Sequence, residues 1–396
     1  MTDPQGCSRR AFLRASAAAA LLPALPWKLA GAAVSSTGEV AALAGDVALL
    51  PTGAEWPPYA RVLVVDFLAS PGAFNVPGSP PLTAEMVRNA ASSGITAVNV
   101  TVSAGGADPF VGAVNGIAEW QRRIAAHADV LMKVETVADL HEAKARGRLG
   151  LVFGFQDATS LGSDVARVDT FQGLGVRVIQ LTYNGRNLLG DGCLEPGNAG
   201  LSRFGHAVVE RLNEQRVMVD LSHCGQRTTA DAIAASREPV AITHTGCDAV
   251  HAHPRHKRDE ELRAMAERGG VVGIFLMPFL TTPRAPTADD VVVHIEHALD
   301  VCGEDHVGIG SDLSITPVEG TDEYWDMHRT FIRARKAAGT AAPGEDENLL
   351  FTTEELNSPR RMELLAERLS ARGHPDARIE KIIGGNWARL MSEVWG

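Results

Sequence analysis

Eight short, continuous apolar runs recur along this chain, each ended by turn residues or a polar cluster. They lie at 62–67, 95–100, 149–155, 178–182, 217–221, 240–243, 271–275 and 307–310. Strands buried on both faces of a parallel sheet read this way, because neither face has to be polar. Between the runs lie helical patterns at 83–92, 116–128, 136–147, 202–216, 228–236, 259–268 and 288–302. Strand–helix alternation on this scale predicts an α/β fold, a (β/α)8 TIM-like barrel, which typically takes about 250 residues. The rival, a doubly wound open sheet, would carry G-x-G-x-x-G after its first strand, and none follows 62–67. The polar stretch 333–359, above all 339–348, reads as a loop. The tail, 358–396, ends in a helical pattern after Gly384-Gly385-Asn386-Trp387 and reads as packing on the barrel.

The N-terminus is read as a targeting segment. Ser8-Arg9-Arg10-Ala11-Phe12-Leu13 precedes an Ala-rich stretch, 15–26, with no charge, and Ala30-Gly31-Ala32 offers small residues at cleavage spacing. The expected division is a twin-arginine signal peptide over 1–32 and one barrel domain with a C-terminal helical tail over 33–396. A transmembrane helix needs about 20 apolar residues, more than the Ala-rich stretch or any later segment supplies. The product is therefore expected in the periplasm. The formal charge of −11 is spread along the chain, which makes nucleic acid and anionic lipid poor partners. Four cysteines follow the signal, Cys193, Cys224, Cys247 and Cys302. Cys224 and Cys247, near the tops of adjacent strands, are within reach of a disulfide in an oxidising compartment.

A barrel of this kind puts function at the carboxyl ends of its strands. There stand Asp66 to Ser70, Gln156-Asp157, Tyr183-Asn184-Gly185, Ser222-His223-Cys224, His244-Thr245 and Ser311-Asp312. Two histidines at neighbouring strand ends, His223 and His244, with Asp312 opposite, suit a mixed nitrogen/oxygen metal site. They equally suit hydrogen-bonded polar residues closing the top of the barrel. His251, His253 and His256 read as a solvated or substrate-lining loop, and His294 and His297 as surface residues of a helix.

Longer motifs add a resemblance. Leu181-Thr182-Tyr183-Asn184-Gly185, Val219-Asp220-Leu221-Ser222-His223, Thr243-His244, His253-Pro254-Arg255, His306-Val307-Gly308-Ile309-Gly310-Ser311-Asp312 and Gly384-Gly385-Asn386 occur in that order. Together they resemble the membrane (renal) dipeptidase family, metallopeptidases on an amidohydrolase-like barrel. The resemblance implies a two-zinc site bridged by a glutamate, with a metal-activated water attacking a dipeptide bond. It assigns His223 and His244 to one zinc, Asp312 to a metal ligand that also handles the proton, and Arg255 to the substrate.

The chain departs from that pattern where the other metal should sit. The family's Asp-x-His-x-Asp signature becomes Asp66 followed by Leu68 and Ser70, and the bridging glutamate becomes Gln156. Leucine has no donor, and serine and glutamine have no negative charge. The histidine after the fourth strand, which contacts substrate in the family, is Tyr183 here. The sequence therefore predicts one zinc or none, with His223 and His244 as its ligands and Gln156 and Asp312 as weak ones. Asp312 and Tyr183 are the expected catalytic groups, and Arg255 and Tyr183 the expected contacts to a dipeptide or related small amide. A non-hydrolytic binding or maturation protein reusing the dipeptide pocket is the alternative. The resemblance also implies a possible homodimer.

Overall fold

The computed structural model describes residues 56–76, 80–103 and 107–396. The expected signal peptide at 1–32 and its boundary lie outside those residues. Each of the eight apolar runs overlaps one strand of a closed parallel ring. In chain order the ring strands are β1 (Val65–Asp66), β3 (Ala97–Thr101), β5 (Leu149–Phe155), β6 (Val176–Gln180), β7 (Met218–Asp220), β8 (Ala241–Thr245), β9 (Val271–Ile274) and β10 (Val307–Ile309). Neighbours pair in parallel around the ring, from Asp66 opposite Ile309 to Val98 opposite Leu151, where β3 meets β5 and closes it. The fold is thus a (β/α)8 barrel, as the alternation predicts. Three short strands complete it. β4 (Leu131–Lys133) adds to β5, and β2 (Ala69–Ser70) pairs with β11 (Leu313–Ser314) just beyond the rim.

The helical patterns form helices because their starts are capped. The side chains of Thr83, Thr136, Ser202 and Thr287 each accept a backbone N–H from the first turn of the helix that follows. Three readings need correction. The helix expected from 116 runs over Pro109–Ala126, started by an Asp108 cap with proline at its first position. Arg167–Gly173 is helical where no pattern was read. Asp322–Ala337 is a helix that takes in the first residues of the expected 333–359 loop. Only His328 and Ile332 are buried in that last helix, so it lacks the apolar stripe that makes a helix legible.

A second core cluster joins Val65, Ala97, Val152, Val178, Met218, Ala241 and Val271, one from each of seven ring strands, to Trp387, Leu390, Met391 and Val394. The C-terminal helix Asn386–Trp395 thereby closes the end of the barrel opposite the functional rim. Phe67 stacks on the Trp387 indole at 4.4 Å, and the Trp387 Nε1–H donates to the Ile309 carbonyl at 3.0 Å. A side chain on Gly308 would overlap that indole, which accounts for glycine within an apolar strand.

Candidate active site

The carboxyl ends of β7 and β8 bring His223 and His244 together. Their Nε2 atoms are 2.9 Å apart, and the two side chains are almost fully enclosed, at 3% and 0% exposure. The hydrogen bonds around them bear on which nitrogens carry protons. Asn184 donates its Nδ2–H to the Thr340 carbonyl at 2.8 Å, so its Oδ1, an acceptor only, faces His223 Nδ1 at 2.6 Å. His223 therefore holds its proton on Nδ1 and presents a lone pair at Nε2.

His244 reaches the same state through a longer chain. Asp220 accepts from Ser222 N, Ser222 Oγ, Thr243 N and Thr243 Oγ1. Burial raises its proton affinity, and those four donors offset that only in part. With Asp220 ionised, the Thr243 hydroxyl proton is spent on the carboxylate, and Thr243 Oγ1 accepts from His244 Nδ1 at 2.8 Å. His244 Nε2 is then a lone pair as well. Burial, and next the Arg255 guanidinium, holds the proton affinity of both rings well below the usual histidine range. Two neutral imidazoles thus meet through Nε2 at 2.9 Å, and in this tautomer pair both would turn lone pairs to a shared electrophile.

Asp312 follows β10 in the left-handed region, at φ 61°, a conformation aspartate tolerates better than most residues. Its N–H donates to the Leu68 carbonyl at 2.8 Å, and Asn75 Nδ2–H donates to its carbonyl at 3.2 Å. Burial pushes its carboxyl up to about 7, against the pull of Arg255 and Arg335. Tyr183, half-buried, stacks on the His223 ring at 4.1 Å. Arg255 is 2% exposed, and its guanidinium donates to the Ser222 carbonyl at 2.8 Å and the His244 carbonyl at 3.4 Å. The structure thus seats the Arg255 guanidinium against the strand ends that carry the histidines, where its charge also bears on Asp312.

Sequence reasoning missed the groups that cover this rim. The helix Asp322–Ala337 and the turn after it bring Arg335, Thr340, Pro343 and Glu345 over the strand ends. Arg335 pairs through Nε and Nη2 with both oxygens of Glu345, at 2.6 and 2.7 Å, and donates from Nη1 to Tyr183 Oη at 3.1 Å. His253 Nε2–H donates to the Pro343 carbonyl at 2.8 Å. Two cavities of about 580 and 490 Å³ border the covering segment and the loops beside it, and neither is lined by His223, His244 or Asp312. Two further readings change. His253, His256 and His294 are buried rather than solvated. Cys193, Cys224, Cys247 and Cys302 are free, with Cys224 accepting from Thr182 Oγ1 and Cys247 directed at the His294 carbonyl.

The model for the membrane dipeptidases, peptidase family M19, matches residues 82–330. The chain belongs to the membrane dipeptidase family. An amidohydrolase from Pseudomonas aeruginosa, 32% identical, superposes with a TM-score of 0.74 over 85% of this chain and 98% of its own. A dipeptidase of Clonostachys rogersoniana is 29% identical over 270 residues, 68% of this chain and 61% of its own. The match therefore spans less than two thirds of that relative's length. A metallopeptidase of Rhodobacter sphaeroides, solved with a phosphinate mimic of the dipeptide L-Ala-D-Ala, shares the fold at 17% identity and a TM-score of 0.66, over 84% of this chain and 99% of its own.

The dipeptidase barrel in this chain does not carry the donors of a two-metal centre. Leu68 is buried and has none, Ser70 Oγ accepts from the N–H of Gly72 in its own turn, and Gln156 Nε2–H donates to Thr101 Oγ1 at 2.9 Å. Asp157 caps the turn that follows and receives the Tyr183 N–H, so both its oxygens are engaged by backbone donors. Among the described residues no three His, Cys, Asp or Glu side chains gather closely enough to hold a metal ion. His223 and His244 do fit two ligands of a single ion, one short of the three protein ligands usual at a catalytic zinc.

Proposed function

We propose that this dipeptidase-family chain is a hydrolase acting on a dipeptide or a related small amide, with at most one metal held by His223 and His244. The observation that carries the reading is the meeting of two imidazole Nε2 atoms on the rim that also carries Asp312 and Tyr183. Gln156 Oε1 and Asp312 are the weak further donors toward that ion, and when bound it supplies an acidified water and a polarised carbonyl. The chain's own residues do the rest. Asp312, with a carboxyl near neutrality, takes a proton from the attacking water and returns it to the leaving amine. Arg255 braces the strand ends that carry both histidines and offers its charge to a substrate carboxylate, and Asn184 fixes the His223 tautomer. Tyr183, stacked on His223, meets the substrate.

The phosphinate mimic bound by the Rhodobacter relative supports a dipeptide-sized substrate. The test is hydrolysis of L-Ala-D-Ala by the exported chain with and without added zinc, beside His223→Ala and Asp312→Asn. Turnover that both variants abolish supports the reading. Binding of the dipeptide without turnover selects the alternative, a non-hydrolytic protein reusing the pocket, which the missing donors at Leu68, Ser70 and Gln156 favour. The twin arginines at Arg9 and Arg10 support export to the periplasm, and no helix among the described residues is long and apolar enough to cross a membrane.

A further inference from the structure

Arg335 and Glu345 lie beyond the stretch 82–330 that the family model matches, yet they close directly on the candidate site. Glu345 is buried to 1% side-chain exposure and grips the Arg335 guanidinium bidentately, while the Arg335 Nη2–H also donates to the Thr340 carbonyl at 3.2 Å. A fork held by two carboxylate oxygens and a carbonyl has little freedom left. The Nη1–H remaining to it donates to Tyr183 Oη, so the phenol accepts from a fixed cation and keeps its own proton to give. The Tyr183 ring is fixed in turn by its stack on His223 and by the Tyr183 N–H donated to Asp157 Oδ2 at 3.2 Å. A phenol polarised in this way is a stronger donor, and one held rigid costs no reorganisation when charge develops on a nearby oxygen.

We propose that Glu345 and Arg335 are positioning residues that hold the Tyr183 hydroxyl as a hydrogen-bond donor to the oxyanion formed from the substrate carbonyl. This rests on the hydrolase reading above. As water adds to the carbonyl carbon, a C–O bond forms and the π pair of the carbonyl moves onto its oxygen, where the Tyr183 O–H meets it. One water proton passes to Asp312. As the carbonyl re-forms, the C–N bond breaks and that proton goes to the departing amine nitrogen, leaving an acid and an amine. Tyr183 donates a hydrogen bond throughout and transfers no proton. The site thus makes up part of the lost Lewis acidity with a phenol backed by a guanidinium, and delivers that support from the segment covering the mouth.

The test compares two ligands on the full chain with zinc present, the phosphinate mimic of L-Ala-D-Ala, whose tetrahedral oxyanion imitates the intermediate, and L-Ala-D-Ala itself. Binding is read by calorimetry. Tyr183→Phe is expected to lose roughly 10–100-fold in affinity for the phosphinate, the worth of a hydrogen bond to a charged group, while its affinity for the dipeptide holds within about twofold. Arg335→Lys and Glu345→Gln, which keep bulk and fold, are expected to show a smaller loss on the phosphinate alone. Loss of both ligands equally, or of neither, overturns the proposal. A wild-type chain that binds the phosphinate no more tightly than the dipeptide removes the hydrolase reading and this proposal together. A wild-type preference that all three variants retain removes this proposal only.

Discussion

His223 Nε2 and His244 Nε2 stand 2.9 Å apart, each with its other nitrogen committed, one to Asn184 Oδ1 and the other to Thr243 Oγ1. Two imidazole ligands of a tetrahedral zinc, with Zn–N near 2.0–2.1 Å, have nitrogens about 3.3 Å apart, so a modest opening of the pair admits an ion. The expected zinc content is therefore one equivalent or less per chain. Elemental analysis after equilibration with zinc checks it, and either His223→Ala or His244→Ala is expected to empty the site. Two equivalents in the wild type would show that donors outside this pair bind metal.

Asn184 is expected to govern that affinity from behind. Its amide is oriented by the Thr340 carbonyl and fixes the Nδ1–H tautomer of His223. Removing such an outer partner typically costs roughly 10–100-fold in metal affinity. Asn184→Ala should weaken zinc binding by that factor in a competition titration, while the melting temperature without metal moves by only a few degrees.

The barrel was legible because strands buried on both faces cannot alternate, and each of the eight apolar runs overlaps a ring strand. His223, His244 and Asp312 were legible as polar residues at the ends of those runs. What covers them was not. Arg335 meets Tyr183 across 152 residues of chain, from a helix with two buried side chains, so no local pattern links them. His294 is a different miss, since its spacing of three from Val291 and four from Ala298 puts it on the buried stripe of its helix. That signal was present and was outweighed by the polarity of the residue.

His294 is expected to make the fold sensitive to acid. Its Nδ1 accepts from the Cys247 N–H at 3.0 Å, and its Nε2–H donates to the Leu280 carbonyl at 3.2 Å. A proton on Nδ1 would set two N–H groups against each other. Burial, opposed by the Leu280 bond, takes its proton affinity down to about 4, against an ordinary value near 6.5. Between those values the unfolded chain holds the proton and the folded chain does not, so stability rises with pH through the window and is lost as pH falls from about 6.5 to about 4. The loss is on the order of 3 kcal/mol. His294→Asn keeps an acceptor and cannot titrate. Urea denaturation across that window should show a shallower pH dependence for the variant than for the wild type, and parallel slopes would remove His294 as a cause.

Trp387 is expected to carry more stability than any other side chain of the tail. It is fully buried, stacks on Phe67, donates to the Ile309 carbonyl and seals the end of the barrel away from the site. Trp387→Ala should cost about 3–5 kcal/mol in unfolding free energy, through the lost aromatic contacts and the cavity left beneath the strands. Gly308→Ala approaches the same contact from the other side, since its new methyl group would strike the indole, and should cost about 1–3 kcal/mol. Because both residues meet at one contact, the double variant should cost less than the two single costs together, as the shortened side chain leaves room for the methyl group. Denaturant midpoints of the three proteins check this, and strictly additive costs would mean that the Gly308 strand and the Trp387 indole do not press on each other.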